Sequence, residues 1–281
     1  MSPGGGRVLR LRNPLFVPGG RPELLPKVAR SAPDAVFVDL EDAVPPAEKE
    51  AARKLVVEAL TAARPEVALA FVRINPVDTP WHDLDVAACA GLIGGGTLDG
   101  VLLPKYEHPG QLLTLRAALP PGSLVIGGLE TALGVADARP LCEAGPDAVY
   151  FGAEDFALDV GGRRTPGGQE VLFARSQVVL AAALAGVTAL DQAVVSVRDL
   201  EAFRVDAEAG RDLGFDGKIC LHPDQVAVSA RIYTPSAAEV AHAEAVIAAA
   251  ATGVGVLDGA MVDAVHVRMA EAVLVRSGSN S

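Results

Sequence analysis

Short apolar runs rich in β-branched residues recur every few tens of residues along this chain, and most end in a charged or glycine position. The runs that read as strands are Leu15–Val17, Ala35–Leu40, Ala68–Ile74, Gly100–Leu103, Leu124–Gly128, Ala148–Phe151, a weak one near Thr188–Ala189, and Lys218–Leu221. Ala-rich stretches of helical length separate them. Pro45-Pro46 precedes a helix expected over Ala47–Ala63, Ser196 is placed to cap one from Val197 to Asp212, and Gly186 and Gly214 mark helix ends. Apolar strands alternating with helices predict a parallel sheet with both faces covered. About eight repeats without a break in composition favour an α/β fold of the (β/α)8 TIM-barrel kind over an open doubly wound sheet.

The pattern changes near residue 235. Residues 1–234 are expected to form the barrel, and 235–281 a C-terminal helical extension made of Pro235–Ala251 and a final helix from about Ala260 to Arg276. That extension can pack on its own barrel or reach a neighbouring subunit as a lid.

Composition narrows the function. Half of the 281 residues are hydrophobic but only 4% are aromatic, so the core must be built from Ala, Val and Leu. A formal charge of -11 argues against a nucleic-acid partner, which needs a basic face. Cys89, Cys142 and Cys220 are isolated, which argues against a disulfide framework or a zinc site and fits a reducing cytoplasm. No charge-free apolar run approaches the length of a membrane span.

The chemistry sits where the strands end. Glu130 follows Leu124–Gly128, and Asp155 follows Ala148–Phe151. In neighbouring parallel strands both carboxylates emerge at one rim, the arrangement that holds Mg2+ while leaving positions for water and substrate. Glu154 competes for the second position. Asp39 ends an apolar run and needs a partner, whereas Glu41 reads equally well as a solvated helix-entry charge. Arg73 ends the third run, where it can grip a carboxylate or an enolate oxygen, or pair with Asp39. Lys105, ending the fourth, raises the rival chemistry of a Schiff-base aldolase. His222 is the histidine nearest the rim, and a structural hydrogen bond is its expected role.

In order along the chain stand Leu15-Phe16-Val17-Pro18-Gly19, Val38-Asp39-Leu40-Glu41-Asp42, Arg73-Ile74-Asn75, Pro104-Lys105, Glu130-Thr131, Phe151-Gly152-Ala153-Glu154-Asp155, and Gly214-Phe215-Asp216-Gly217-Lys218 through Leu221-His222-Pro223. With these motifs the chain resembles the citrate lyase beta-subunit family, in the superfamily that includes malyl-CoA lyases. The resemblance implies a Mg2+-dependent enzyme that cleaves or forms a carbon–carbon bond in a citryl-, malyl- or citramalyl-type thioester, giving an acetyl thioester and a keto acid. It implies Glu130 and Asp155 as metal ligands, Glu130 and Arg73 at the substrate, and Asp263 as an acid that swings over a neighbouring subunit's site. Two departures stand out: Val265 where the related motif often has proline, and Arg12-Asn13-Pro14 where Arg-Ser is common.

The chemistry is consistent with the residues. Arg73 is placed to help the enolate, and Asp263, then Asp39 or a water, is the candidate acid–base. Arg12, Arg21, Lys27 and Lys105 are the candidate contacts for the phosphates of coenzyme A or of an acyl carrier. Other outcomes stay open: a citryl lyase subunit active only with carrier and transferase partners, an acyl-CoA thioesterase, or the Lys105 aldolase. The resemblance also implies a homo-oligomer, trimeric or hexameric.

Overall fold

The computed structural model describes residues 9–251 and 253–278. They form two compact units, one running to Ser229 and the other starting at Ala230. The first unit holds strands β1 (Leu15–Pro18), β2 (Ala35–Asp39), β3 (Leu69–Arg73), β4 (Gly100–Leu103), β5 (Leu124–Leu129), β6 (Ala148–Phe151), β7 (Thr188–Asp191) and β8 (Gly217–Lys218). They make one eight-stranded sheet in chain order, every neighbouring pair parallel. The residues after β8 pair back toward β1. The Cys220 N–H donates to Pro14 O (2.9 Å), and the Phe16 N–H donates to Cys220 O (2.9 Å).

Between the strands lie α1 (Lys49–Ala62), α2 (His82–Gly94), α3 (Pro109–Ala118), α4 (Ala132–Ala136), α5 (Ala138–Glu143), α6 (Ala153–Asp159), α7 (Gln169–Ala185) and α8 (Leu200–Leu213), with α9 (Pro223–Ile232) after β8. Helix α8 starts three residues later than the sequence predicts. Its cap is Asp199, which accepts the Ala202 N–H, while Ser196 instead closes a turn by accepting the Asp199 N–H on its carbonyl. Among the described residues no helix is long and apolar enough to cross a membrane.

Period-2 alternation sorts the strand residues to two faces. Phe37, Phe71, Leu102, Ile126, Tyr150, Leu190 and Ile219 pack together in one buried cluster. Phe16, Phe37 and Phe71 meet edge to face, with ring centroids 5.3 and 5.5 Å apart. The alternate residues Val36, Val38, Val72, Val101 and Val149 are buried as well, so neither face of these strands meets water. Two steps beyond Phe37 and Phe71 along the same face come Asp39 and Arg73, and four steps beyond Ile126, past Gly128, comes Glu130. The charged site is therefore the last layer of the apolar cluster, at the carboxyl ends of the strands.

The second unit corrects the sequence reading of residues 255–262. They form a hairpin, β9 (Gly255–Leu257) against β10 (Ala260–Val262), so that residues 260–262 are strand and the final helix begins at Ala264, later than the expected Ala260. Asp258 and Gly259 make the turn with φ of 49° and 81°, a pair suited to a two-residue hairpin. Helix α10 (Ala237–Ala249) is capped by Ser236 with Glu239, and α11 (Ala264–Ser277) is capped by Asp263. Ala243, Val246, Val262 and Ala270 form this unit's own small core.

Candidate active site

The strand register sets Asp39 directly beside Arg73. Asp39 Oδ1 accepts from Arg73 Nε and from the Glu41 N–H, both at 2.8 Å. Its Oδ2 accepts from Arg73 Nη2 at 2.6 Å and from the Ala43 N–H at 3.1 Å. With four donors on two oxygens, Asp39 is saturated. It fixes the guanidinium and shapes the β2 loop, and this replaces the acid–base role that the sequence left open to it. Arg73 Nη1 also lies 2.9 Å from Glu41 Oε2 and 3.4 Å from Asp42 Oδ2. Burial works against the Arg73 charge, but Asp39 and Glu41 outweigh it and hold the guanidinium pKa well above its ordinary value.

Glu41, an even choice between solvent and site in the sequence, is only 3% exposed. Its Oε1 accepts from Lys105 Nζ at 2.8 Å, and Lys49 Nζ holds the Leu40 and Glu41 carbonyls. Burial pushes the Glu41 carboxyl up to about 8, against the pull of Arg73. The signal in the sequence was its step of two from Asp39, which keeps it on the strand's inward parity.

Glu130 is 1% exposed and its Oε1 accepts the Lys105 N–H at 2.8 Å. Lys105 makes that contact with φ of 48°, a left-handed conformation that is uncommon for a lysine. Glycine at position 152 leaves the room Glu130 needs, because a Cβ there would stand 2.5 Å from Glu130 Oε2. Burial raises the Glu130 pKa, and Asp155 adds to it over the opposition of Arg73 and Lys105. Tyr150, buried beneath, has its phenol held well above its ordinary range by burial first and by Glu130 second. Asp155, in the first turn of α6, is 3.6 Å from Lys105 Nζ. Burial opposes the Lys105 ammonium as well, yet Glu41, Glu130 and Asp155 together raise its pKa.

Asp39, Asp42, Arg73, Glu130 and Asp155 line one cavity of about 590 Å³, whose remaining lining is largely apolar. Around it Asp39, Glu41, Asp42, Glu130 and Asp155 face two cations, Arg73 and Lys105. Asp39, Glu41 and Glu130 are buried, Asp155 is half-buried and Asp42 exposed, and such an excess of acids calls for a further cation. Every donor is a hard oxygen, and the described cysteines are buried outside this set. Among the described residues no three acidic, histidine or cysteine side chains already form a cage. Two carboxylates beside an open cavity match Mg2+, which keeps water and substrate in its shell. Glu130 and Asp155 fit that role best. Glu154 also lines the cavity, but its Oε1 is taken by Arg164 Nε at 3.0 Å.

Other predicted residues scatter. Arg12 precedes β1 and pairs with Asp34, just before β2, at 2.6 Å. That puts it at the amino ends of these strands, away from the rim, and corrects the expectation of a thioester contact. Arg21 follows β1 at the rim and pairs with Glu23 at 2.5 Å, and Lys27 is exposed. His222 lies 3.5 Å from Asp224. Asp263 belongs to the second unit, where its Oδ1 accepts the Val265 and His266 N–H groups and lies 2.8 Å from His266 Nδ1. The His266 hydrogen bond first, and the backbone bonds next, hold the Asp263 pKa low.

The profile of the HpcH/HpaI aldolase/citrate lyase family matches residues 12–223. A citrate lyase subunit beta-like protein of Deinococcus radiodurans is 46% identical over 268 residues, covering 90% of this chain and 92% of that protein. A (3S)-malyl-CoA thioesterase of Cereibacter sphaeroides is 34% identical, covering 95% and 94% respectively. Among solved structures, CitE from Mycobacterium tuberculosis in complex with magnesium, acetoacetate and coenzyme A superposes with a TM-score of 0.81 at 34% identity, over 95% of this chain and 97% of that one.

Proposed function

The chain belongs to the HpcH/HpaI aldolase/citrate lyase family, and from that membership we propose that it is a Mg2+-dependent carbon–carbon lyase acting on a β-hydroxyacyl thioester. The observation that carries this reading is the unbalanced set of carboxylates on one cavity, with Glu130 and Asp155 both lining it on either side of Lys105. The magnesium and coenzyme A in the CitE complex support the same pairing of metal and thioester. The sheet is read as a closed (β/α)8 barrel, supported by the hydrogen bonds from the residues after β8 to those around β1.

When bound, the divalent cation supplies Lewis acidity at the substrate's hydroxyl and carboxylate oxygens. In the cleavage direction the hydroxyl loses its proton and becomes a carbonyl as the bond to the neighbouring methylene carbon breaks. The electron pair passes to the thioester enolate, which takes a proton at carbon. The products are a keto acid and an acetyl thioester, with no net redox change. Arg73, locked by Asp39, presents a fixed positive charge to the enolate oxygen. Asp263 of a neighbouring copy is the acid–base candidate, which makes the active form a homo-oligomer, a trimer or hexamer, in the cytoplasm. Arg21, Lys27 and Lys105 remain the candidate thioester-carrier contacts. A protonated Lys105 held by Glu41 is a poor nucleophile, and that favours the metal reading over an imine at Lys105.

The test is a coupled assay of the purified chain on a panel of citryl, malyl and citramalyl thioesters, with and without a chelator. Keto acid released only in the presence of Mg2+ supports the lyase, and turnover that survives chelation refutes it. Similarity to a malyl-CoA thioesterase favours a second outcome, hydrolysis of the thioester, read in the same assay as free thiol in excess of acetyl thioester.

A further inference from the structure

Lys105 touches both proposed metal ligands, and it does so from two ends. Its backbone N–H donates to Glu130 Oε1 at 2.8 Å, and its Nζ lies 3.6 Å from Asp155 Oδ1. The backbone contact is built into the fold. The turn after β4 sets Lys105 at φ 48°, and the next N–H along the chain, that of Tyr106, donates to Gly128 O at 2.9 Å. Two successive N–H groups thus fasten this turn to β5 and to Glu130 just beyond it, whatever side chain position 105 carries.

The side chain is held more loosely. Arg73, which shares Glu41 with it, is fixed by two hydrogen bonds to Asp39, by Glu41 at 2.9 Å and by the Phe16 ring, whose centroid is 5.0 Å from the guanidinium carbon. The Lys105 ammonium ends a flexible stem, donates to Glu41 Oε1 at 2.8 Å, and belongs to a side chain 33% exposed, against 11% for Arg73. At 3.6 Å its approach to Asp155 is a pairing of charges rather than a hydrogen bond. In the metal-free protein this ammonium offsets the repulsion among Glu41, Glu130 and Asp155, all three of which act on it. A divalent cation shared by Glu130 and Asp155 brings twice the charge to the same oxygens and repels the ammonium. Asp155 cannot serve both, whereas Glu41 lies outside the cavity lining and can keep the lysine.

Resting on the proposed metal at Glu130 and Asp155, we propose that Lys105 is a positioning residue of this centre. Its backbone N–H fixes Glu130 with or without the ion, and its ammonium holds Asp155 only until a divalent cation takes that carboxylate, then withdraws onto Glu41. Lys105 thereby stabilises the metal-free site and competes with the ion, so it sets the Mg2+ affinity lower than the carboxylates alone would give.

Calorimetric titration of the full chain with Mg2+ reads this without turnover. Lys105→Met keeps the backbone and an apolar stem and removes the charge. It should bind Mg2+ about 10-fold more tightly than the wild type, the scale of one unit charge acting at short range in a half-buried site, while its metal-free form unfolds at a lower temperature. Lys105→Arg, which keeps the charge, should stay within about 3-fold of the wild type. Should Lys105→Met fail to fold, Lys105→Gly carries the same test, because glycine adopts φ 48° without strain. A lysine that served packing alone would cost stability and give no gain in affinity. Mg2+ binding by the uncharged variant that is equal to or weaker than that of the wild type, or an arginine variant that tightens it as much as methionine does, overturns the inference and leaves the metal reading standing. If the wild type binds no Mg2+, both fall together.

Discussion

Two buried charge clusters lie at strand ends in the first unit, and they are built to opposite rules. In one, Arg175 and Lys218 meet Asp191 and Asp206. Arg175 forks onto Asp191 at 3.0 and 2.7 Å, and Lys218 Nζ reaches Asp191 at 2.9 Å, Asp206 at 2.5 Å and the Gln192 carbonyl at 2.7 Å. Two cations answer two carboxylates, Lys218 and Asp191 are 0% exposed, and none of these four lines the cavity. In the other, Asp39, Glu41, Asp42, Glu130 and Asp155 outnumber Arg73 and Lys105 and open onto a cavity with room for a ligand. Burial of charge marks both clusters, so burial alone does not identify a site. Imbalance does. A balanced cluster is complete within the chain, whereas an acidic excess is completed by something the chain binds.

The largest effect expected from this contrast is at Glu130. Glu130→Gln should lower kcat/KM by about 1,000-fold or more by removing a metal ligand. Direct titration with Mg2+ should show the binding lost, while the metal-free protein unfolds at the wild-type temperature or above, because a buried like-charge neighbour is gone. A large drop in metal-free stability would put Glu130 with the structural cluster instead. Asp191→Asn should do the reverse. It strands Arg175 and Lys218 and costs about 3–5 kcal/mol of stability in urea unfolding, with the Mg2+ affinity of the folded protein unchanged.

The same contrast shows what a linear sequence can and cannot disclose. The eight strands were legible because each is an apolar run with punctuated ends; Glu130, Arg73 and Asp39 were legible because strand parity carries them to one rim, and Asp155 because it follows closely on a strand end. The balanced cluster was not, since Arg175, Asp191, Asp206 and Lys218 come from two helices and two strands and meet only through tertiary packing. Arg12 looked like a phosphate contact by its charge alone, although its place before the Leu15–Val17 run already put it at the amino end of β1. The β9–β10 hairpin did carry a local signal, Asp258-Gly259 between short apolar runs, which the reading of a final helix from about Ala260 passed over. Glu41 lay between the two cases, its parity visible and its burial not.

Proton linkage should separate the clusters by sign, with a smaller effect. Glu41 in the metal-free protein sits at about 8, above the ordinary 4.5, so the fold favours its protonated form. Its contribution to stability is full below the ordinary value and is lost as pH rises from there through about 8. Asp206 runs the other way. Burial opposes its charge, but Lys218 and Arg175 outweigh burial and lower its pKa, so its contribution is present above the ordinary 3.8 and is lost as pH falls. Unfolding free energy measured from pH 3 to 9 should therefore decline on both sides. Glu41→Gln should flatten the alkaline side alone, and Asp206→Asn the acid side alone. A single variant that removes both declines would mean that the two clusters titrate as one.

Arg164 is where they meet, and it carries the smallest expected effect. Its guanidinium donates to Glu154 at 3.0 Å, to Glu170 at 2.6 Å and to Gln192 at 2.9 Å. Gln192 in turn donates to Asp206 at 3.0 Å, and Glu154 is the chain neighbour of Asp155. This gives one route from the balanced cluster to the proposed metal site, through a side chain 26% exposed and so partly screened by water. Arg164→Ala should weaken Mg2+ binding by roughly 3-fold through a loosened α6 first turn, leave kcat at saturating Mg2+ nearly unchanged, and be partly rescued by Arg164→Lys. Combined with Asp206→Asn, a coupling in Mg2+ affinity above about 0.5 kcal/mol means that the brace sets the geometry of the site through this arginine. Strict additivity means that the two clusters share a sheet and nothing else.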